Sequence, residues 1–156
     1  MRKITVLALI LSVAFASCTK SSGTNCGTVQ VAAPASELEA LRTYISTNSI
    51  TATEDPRGFF YSISTPGSGN KPTVCNAVTV NYSGKLTNGT VFDSGNNVQF
   101  NLSGLIIGWQ EGIPLIAPGG SITLYLPPSL AYGSTAVGSI PANSILVFTI
   151  DLLAVN

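Results

Sequence analysis

The clearest structural signal in this sequence is the stretch Val78-Thr79-Val80-Asn81-Tyr82-Ser83, in which apolar or aromatic side chains alternate with polar ones. The same period of two recurs over residues 121–126 and 146–152. This alternation places one row of side chains on a buried face and the other on a solvated face, as in antiparallel sheet. The three segments therefore predict strands of one antiparallel sheet with a single buried face.

Outward from these strands, the sequence predicts few other elements. Residues 58–63 favour a further strand, which ends at Pro66-Gly67. Residues 105–116 favour a helix that is short, flanked by glycine and interrupted by Pro114. The expected fold class is therefore α+β, with a mostly β domain built around one short central helix.

A second, N-terminal helix is predicted over residues 37–47. Ser36 and Glu39 have the spacing of a capping box just before it. Its apolar side chains recur at helical intervals, at positions Leu38, Leu41 and Ile45. We expect this short amphipathic helix to pack on the domain.

The composition excludes several classes of function. The chain has 156 residues, seven basic and seven acidic side chains and no histidine. Without histidine there is no Ser-His-Asp triad, no Cys-His pair and no imidazole metal ligand. The balanced charge gives no electrostatic footprint for a nucleic acid, so we expect no nucleic-acid partner. Chemistry in this chain must use carboxylates, hydroxyls, backbone groups or a shaped apolar pocket.

The first residues have the pattern of an export signal. Arg2 and Lys3 precede a run of apolar and small residues over 4–16, which is too short to span a bilayer. The run ends at Phe15-Ala16-Ser17-Cys18, which resembles a bacterial lipobox with Cys18 as the lipidated residue. We therefore expect a signal peptide over residues 1–17, then a lipidated tether and helix over 18–57. The alternative is an ordinary secretion signal cut near Ala16, with Cys18 left as a free thiol.

Two further cysteines, Cys26 and Cys75, remain if Cys18 carries lipid. An even number of thiols in an oxidising compartment favours a disulfide between them, which would close a loop of about 50 residues. The alternative is two unpaired thiols. Two cysteines alone make no metal site, so no metal is expected.

Five segments resemble FKBP-type peptidyl-prolyl cis/trans isomerases. The first, VTVNYSGKLTNGTVFDS over residues 78–94, is similar to the first signature of that family. The second, LIIGWQEG over 105–112, looks like the family's helix entry. Three closing segments follow in register: LAYG at 130–133, IPAN at 140–143 and LVF at 146–148. The resemblance covers residues 58–156, which are expected to form the isomerase domain.

The resemblance implies a five- or six-stranded antiparallel sheet wrapped around one helix, with an aromatic pocket between them. Carried over position by position, it implies catalytic roles for Tyr82, Phe92, Asp93, Trp109, Tyr132 and Phe148. It implies substrate-binding roles for Leu105, Ile106 and Ile140. In this scheme Trp109 forms the floor for a proline ring, and the Ile106 N–H donates to a ligand carbonyl. Each of these residues also has a purely structural interpretation, as core or turn.

The implied activity is rotation about Xaa-Pro bonds of exported proteins, without a cofactor. The implied partners are proline-containing polypeptides and macrolide-type inhibitors, and the protein is expected to be a lipid-anchored monomer at the bacterial envelope, facing the periplasm or the cell surface. Two departures from the family, Val98 and Ser139, are expected to reshape one pocket wall. The alternatives are a non-catalytic peptide-binding or holdase module with the same groove and, more remotely, a structural lipoprotein with a vestigial isomerase fold.

Overall fold

A computed structural model describes residues 29–156, and its main element is a six-stranded antiparallel sheet. The strand order across the sheet is β1-β2-β5-β6-β3-β4. The strands are β1 (Thr53–Asp55), β2 (Phe59–Thr65), β3 (Ala77–Leu86), β4 (Val91–Asn101), β5 (Gly120–Leu126) and β6 (Leu146–Val155). The predicted α+β class and antiparallel sheet are confirmed.

The period-two segments became strands because their apolar rows fill the core. In β5, Ile122, Leu124 and Leu126 are completely buried, while the residues between them are partly exposed. The same alternation holds along β6. At roughly 1.5–3 kcal/mol for each large apolar side chain, burial of one face fixes the register of these central strands.

The central helix, α2 (Ile107–Gly112), lies on the concave face of the sheet and is shorter than predicted. The chain continues as a 3-10 turn over Ile113–Leu115. Pro114 has no N–H to continue an α-helical ladder, which explains why the predicted 105–116 helix ends early. The helix sits close to β5, since a Cβ on Gly112 would lie 2.6 Å from a methyl carbon of Leu124.

The N-terminal helix, α1 (Ala35–Thr47), packs on the sheet as predicted, but the capping box does not form. Leu41 and Ile45 are buried in a second apolar cluster with Phe60 of β2. Pro34 occupies the cap position and no side chain caps the helix. Ser36 therefore lies inside the first turn, where the predicted cap geometry is not available to it.

The sheet extends past the predicted domain boundary at residue 58. Strand β1 pairs with β2 from Thr53 to Asp55, in the segment that the sequence assigned to the tether. The domain boundary stays a prediction. The signal peptide over 1–17 and the lipidation of Cys18 also stay predictions, because they lie outside the described residues. Within residues 29–156, no helix is long and apolar enough to cross a membrane.

Candidate active site

A cavity of about 260 Å³ opens between α2 and the sheet. The residues that line it are Tyr82, Asp93, Phe100, Gly104, Leu105, Ile106, Trp109, Tyr132 and Phe148. They come from β3, β4, α2, β6 and the segments that connect them. Seven of the nine residues predicted for a pocket are in this set, so the fold brings distant parts of the sequence to one concave surface.

Trp109 lies at the centre of an aromatic box. Its ring centroid is 5.3 Å from that of Tyr82, 5.3 Å from that of Phe148 and 6.0 Å from that of Phe100. The interplanar angles of 80° to 89° make all three contacts edge-to-face, which is a favoured geometry for aromatic pairs. Trp109 is only 3% exposed, and its indole N–H has no hydrogen-bond partner. The box therefore gives a rigid apolar floor.

Phe92 packs against one ring of the box and is not among the residues that line the cavity, so its predicted catalytic role stays a prediction. Its ring meets that of Phe148 edge-to-face, with centroids 5.5 Å apart. Both rings occupy the space over Gly84, where an added Cβ would lie 2.6 Å from Phe92 and 2.8 Å from Phe148. A residue without a side chain is thus required at this point of β3 for the two rings to pack.

Ile140, the other predicted residue absent from the lining, is buried in the main core. It is 6% exposed and packs in the cluster that includes Leu130 and Phe148. A short antiparallel bridge to Val137 holds the backbone there. Ile140 thus packs in the core beside the pocket, and its predicted substrate-binding role stays a prediction.

The polar edge of the cavity consists of Tyr82, Asp93 and Tyr132. The Tyr82 hydroxyl donates a hydrogen bond of 2.9 Å to Asp93 Oδ2. Burial, together with this hydrogen bond and the negative charge of Asp93, raises the pKa of Tyr82 to about 12. Burial and the charge of Asp93 also raise the pKa of Tyr132. Both phenols therefore stay protonated at neutral pH and are hydrogen-bond donors.

The wall before α2 is formed by Leu105 and Ile106. The side-chain amide of Gln110 donates a 2.6 Å hydrogen bond to the carbonyl oxygen of Leu105, which fixes this turn against the helix. The Ile106 carbonyl accepts from the first helical amides, those of Trp109 and Gln110. The proposed donation from the Ile106 N–H to a ligand stays a prediction, and its residue does line the cavity.

Sequence reasoning missed Phe100 and Gly104, which also line the cavity. Phe100 packs edge-to-face on Tyr82 and Trp109, and it faces inward on a strand whose other residues are mostly exposed. The available signal was its place two residues after Val98 on the same strand face. Val98 and Ser139, expected to reshape a wall, do not line the cavity.

The arrangement provides binding and polarity without a covalent or metal centre in residues 29–156. No group of three metal-ligating side chains occurs in that range. Cys75 is disulfide-bonded; its predicted partner, Cys26, lies outside the described residues, so that pairing stays a prediction. An aromatic box with one carboxylate and two phenols at its edge suits a small apolar ring with an adjoining carbonyl group.

Comparisons with known proteins agree on one family. A family model described as FKBP-type peptidyl-prolyl cis-trans isomerase matches residues 69–153. A protein named FKBP-type peptidyl-prolyl cis-trans isomerase FkpA, from Buchnera aphidicola subsp. Schizaphis graminum, is 47% identical over 104 residues. That match covers 64% of this chain and 41% of the relative. The chain thus spans less than half the length of the curated relatives it matches.

Solved structures give the same result. FkpA from Escherichia coli superposes with a TM-score of 0.70 at 38% identity, over 78% of this chain and 61% of that one. A peptidyl-prolyl cis-trans isomerase from Pseudomonas syringae pv. tomato superposes with a TM-score of 0.69 at 32% identity. The second match covers 80% of this chain and 97% of that one. Both matches extend over more than three quarters of this chain.

Proposed function

This chain belongs to the FKBP-type peptidyl-prolyl cis-trans isomerases, and we propose that it catalyses rotation about Xaa-Pro peptide bonds. The observation that carries the proposal is the aromatic box around Trp109, with the hydrogen-bonded pair of Tyr82 and Asp93 at its edge. In this proposal the proline ring lies against the box, and the edge supplies polar contacts to the flanking backbone.

The reaction requires no nucleophile, base or metal. An Xaa-Pro bond rotates over a barrier of roughly 18–20 kcal/mol, because resonance gives its C–N bond double-bond character. The twisted transition state has lost that resonance, so its carbonyl group is less dipolar than that of the planar ground state. A site with few waters and apolar walls disfavours the planar form relative to the twisted one, and shape complementarity to the twisted form adds to this.

The residues of the floor, the walls and the edge of the cavity have different roles in this reaction. Trp109 and Phe148, each 3% exposed, hold the proline ring in a water-poor position. Ile106 presents its backbone N–H to a substrate carbonyl, which orients the peptide as the bond turns. Tyr132, 38% exposed, closes the open side of the cavity and donates from its protonated hydroxyl. All of these groups act by position.

The proposal includes a place of action at the bacterial cell envelope. The basic Arg2 and Lys3, the apolar run over 4–16 and the lipobox-like Cys18 support export and lipid anchoring, facing the periplasm or the cell surface. Its substrates are then exported proteins, whose prolyl bonds isomerise in tens of seconds or longer without catalysis. Incorporation of a fatty-acid analogue that is lost in Cys18→Ala tests the anchor.

Macrolide-type inhibitors and a monomeric state complete the proposal. An inhibitor that occupies the aromatic box should quench or shift the emission of Trp109, the single tryptophan of the chain. Titration of that emission, with sedimentation at several protein concentrations, tests both points.

The decisive experiment is exchange NMR on a short Xaa-Pro peptide with the purified protein. Catalysis by the wild type should fall about tenfold in Tyr132→Ala, whose side chain lines the cavity. Val137→Ala is the matched control, because Val137 is 44% exposed on the same segment and lies outside the lining. A well-folded wild type that accelerates no exchange would refute the isomerase function and leave a peptide-binding module.

A further inference from the structure

Asp93 is the only charged residue that lines the cavity in the described part of the chain. Its Oδ2 accepts a hydrogen bond from the neutral hydroxyl of Tyr82. None of the ion pairs within residues 29–156 includes Asp93. The negative charge at the edge of the pocket is therefore held in place but is not neutralised.

The basic side chains of residues 29–156 form no ion pair with Asp93. Residues 29–156 contain four of them: Arg42, Arg57, Lys71 and Lys85. The two arginines form their ion pairs with other carboxylates, and Lys71 Nζ donates a 2.7 Å hydrogen bond to a backbone carbonyl. Lys85 follows Gly84 on β3, so its side chain projects from the opposite face of the strand to the rings packed on Gly84. No cation of this range competes for the Asp93 carboxylate.

The walls of the pocket strengthen the field of this single charge. Asp93 is itself exposed, but it lies at the edge of a cavity whose floor, Trp109 and Phe148, is nearly completely buried and apolar. Charges interact more strongly beside such a surface than in bulk water, where solvent screens them. The field reaches across the pocket, because the charge of Asp93 contributes to the raised pKa of Tyr132.

We propose that the site selects proline-containing segments that carry lysine or arginine beside the proline, and that it discriminates against aspartate or glutamate there. The inference rests on the proposed isomerase function and adds substrate charge to it. Asp93 Oδ1 forms no hydrogen bond within residues 29–156, which leaves one acceptor free at the edge of the cavity while Oδ2 is held by Tyr82. A cation placed there gains a charge-assisted contact, and a carboxylate meets a like charge.

The experiment compares two sets of peptides that differ only in charge. One set has Lys, Gln or Glu immediately before proline, and the other has the same residues immediately after it. Exchange NMR with the purified protein gives kcat/KM for each peptide. We expect Lys to exceed Glu by about fivefold to twentyfold in at least one set at low salt. The ratio should shrink at ~1 M salt, where the Debye length is only about 3 Å.

Two variants assign the effect to one side chain. Asp93→Asn should bring the Lys/Glu ratio to about one, since charge–charge attraction is removed while the amide still accepts from Tyr82. Asp151→Asn, which removes the same charge from the exposed face of β6, should keep the wild-type ratio. Equal kcat/KM for all peptides, or a ratio unchanged in Asp93→Asn, would overturn the charge selection. Absence of catalysis on every peptide would overturn the isomerase function as well.

Discussion

The hydroxyl of Tyr82 on β3 and the carboxylate of Asp93 on β4 are joined by a hydrogen bond of 2.9 Å. The bond is diagonal across the strand pair, because the partner of Tyr82 in the ladder is Gly95 and the partner of Asp93 is Gly84. It fixes a neutral donor against an anionic acceptor at the edge of the aromatic box. The bond adds to the ring contacts of Tyr82 with Trp109 and Phe100, which also orient its side chain in the pocket.

Replacement of Tyr82 by phenylalanine should lower kcat/KM by about tenfold, the range expected for loss of a hydrogen bond to a charged group. The same variant should remove a phenol that titrates near pH 12, because burial and the bond to Asp93 raise the pKa of Tyr82 to about 12. Ultraviolet absorbance of phenolate during an alkaline titration measures this. Tyr44→Phe, on α1, should leave that transition in place, and persistence of the transition in Tyr82→Phe would refute the assignment.

Phe92→Leu should reduce catalysis less than Phe148→Leu, because Phe148 lines the cavity while Phe92 is outside the lining and packs edge-to-face on the Phe148 ring. Each change removes three side-chain carbon atoms, so we expect it to destabilise the fold by about 1–3 kcal/mol. The effects on ln(kcat/KM) should couple, since Phe92 acts through Phe148. A double-mutant cycle measures the coupling, and fully additive effects would contradict the supporting role.

The sequence predicted the strands of the core because burial imposes a period that side chains display directly. It did not predict β4 in the same way, since most side chains of this edge strand are exposed and the alternation of Val98 with Phe100 is too short to mark a strand. It also gave Phe92 a catalytic role, which stays a prediction. The register shifts there, with Asp93 opposite Gly84 and Val91 opposite Lys85, so that Phe92 is an extra residue in the ladder.

The contacts of α1 show a second limit of sequence reasoning. Its apolar stripe predicted a packed helix, but not that Phe60 of β2 would be its contact or that β1 would extend the sheet beside it. Tertiary contacts between distant segments leave no local period in either segment. The pocket residues were therefore predicted from the family resemblance and not from periodicity, because motif positions in a family correspond to positions in its fold.

Leu41→Ala should lower the free energy of unfolding by about 2–5 kcal/mol, the range for truncation of a completely buried leucine. Because α1 contributes no residue to the cavity lining, kcat/KM of the folded variant should be unchanged. Urea unfolding and exchange NMR on the same samples measure both quantities. Thr43→Ala, at an exposed position of α1, is the control; a Leu41→Ala protein of wild-type stability would show that α1 is not part of the cooperative unit.

Glu111 lies on the buried side of α2, two residues beyond Trp109, and its side chain is 1% exposed. Its Oε1 accepts from the backbone N–H of Val31 at 3.4 Å, while Oε2 has no hydrogen-bond partner and is 4.0 Å from Arg57 Nε. Burial raises the pKa of Glu111, although the charge of Arg57 and the Val31 N–H act against it. The folded protein therefore holds this proton more tightly than the unfolded chain does.

Glu111→Gln should consequently raise the free energy of unfolding at neutral pH by about 1 kcal/mol, since the amide removes a buried charge with an unpaired oxygen. The stability that wild type draws from protonated Glu111 is complete below the unfolded pKa of about 4.3 and is lost as pH rises through the raised folded value. The difference between variant and wild type should therefore grow with pH. Burial tends to raise the pKa of Asp55, but hydrogen bonds from Arg57 hold that pKa below its ordinary value. Ionised Asp55 therefore stabilises the fold, and this stability is lost at acid pH in the wild type and in the variant alike. Urea unfolding across acid and neutral pH measures the difference in the free energy of unfolding. Glu39→Gln is the control, because the Glu39 side chain is 70% exposed. Parallel plots of the free energy of unfolding against pH for wild type and Glu111→Gln would contradict the assignment.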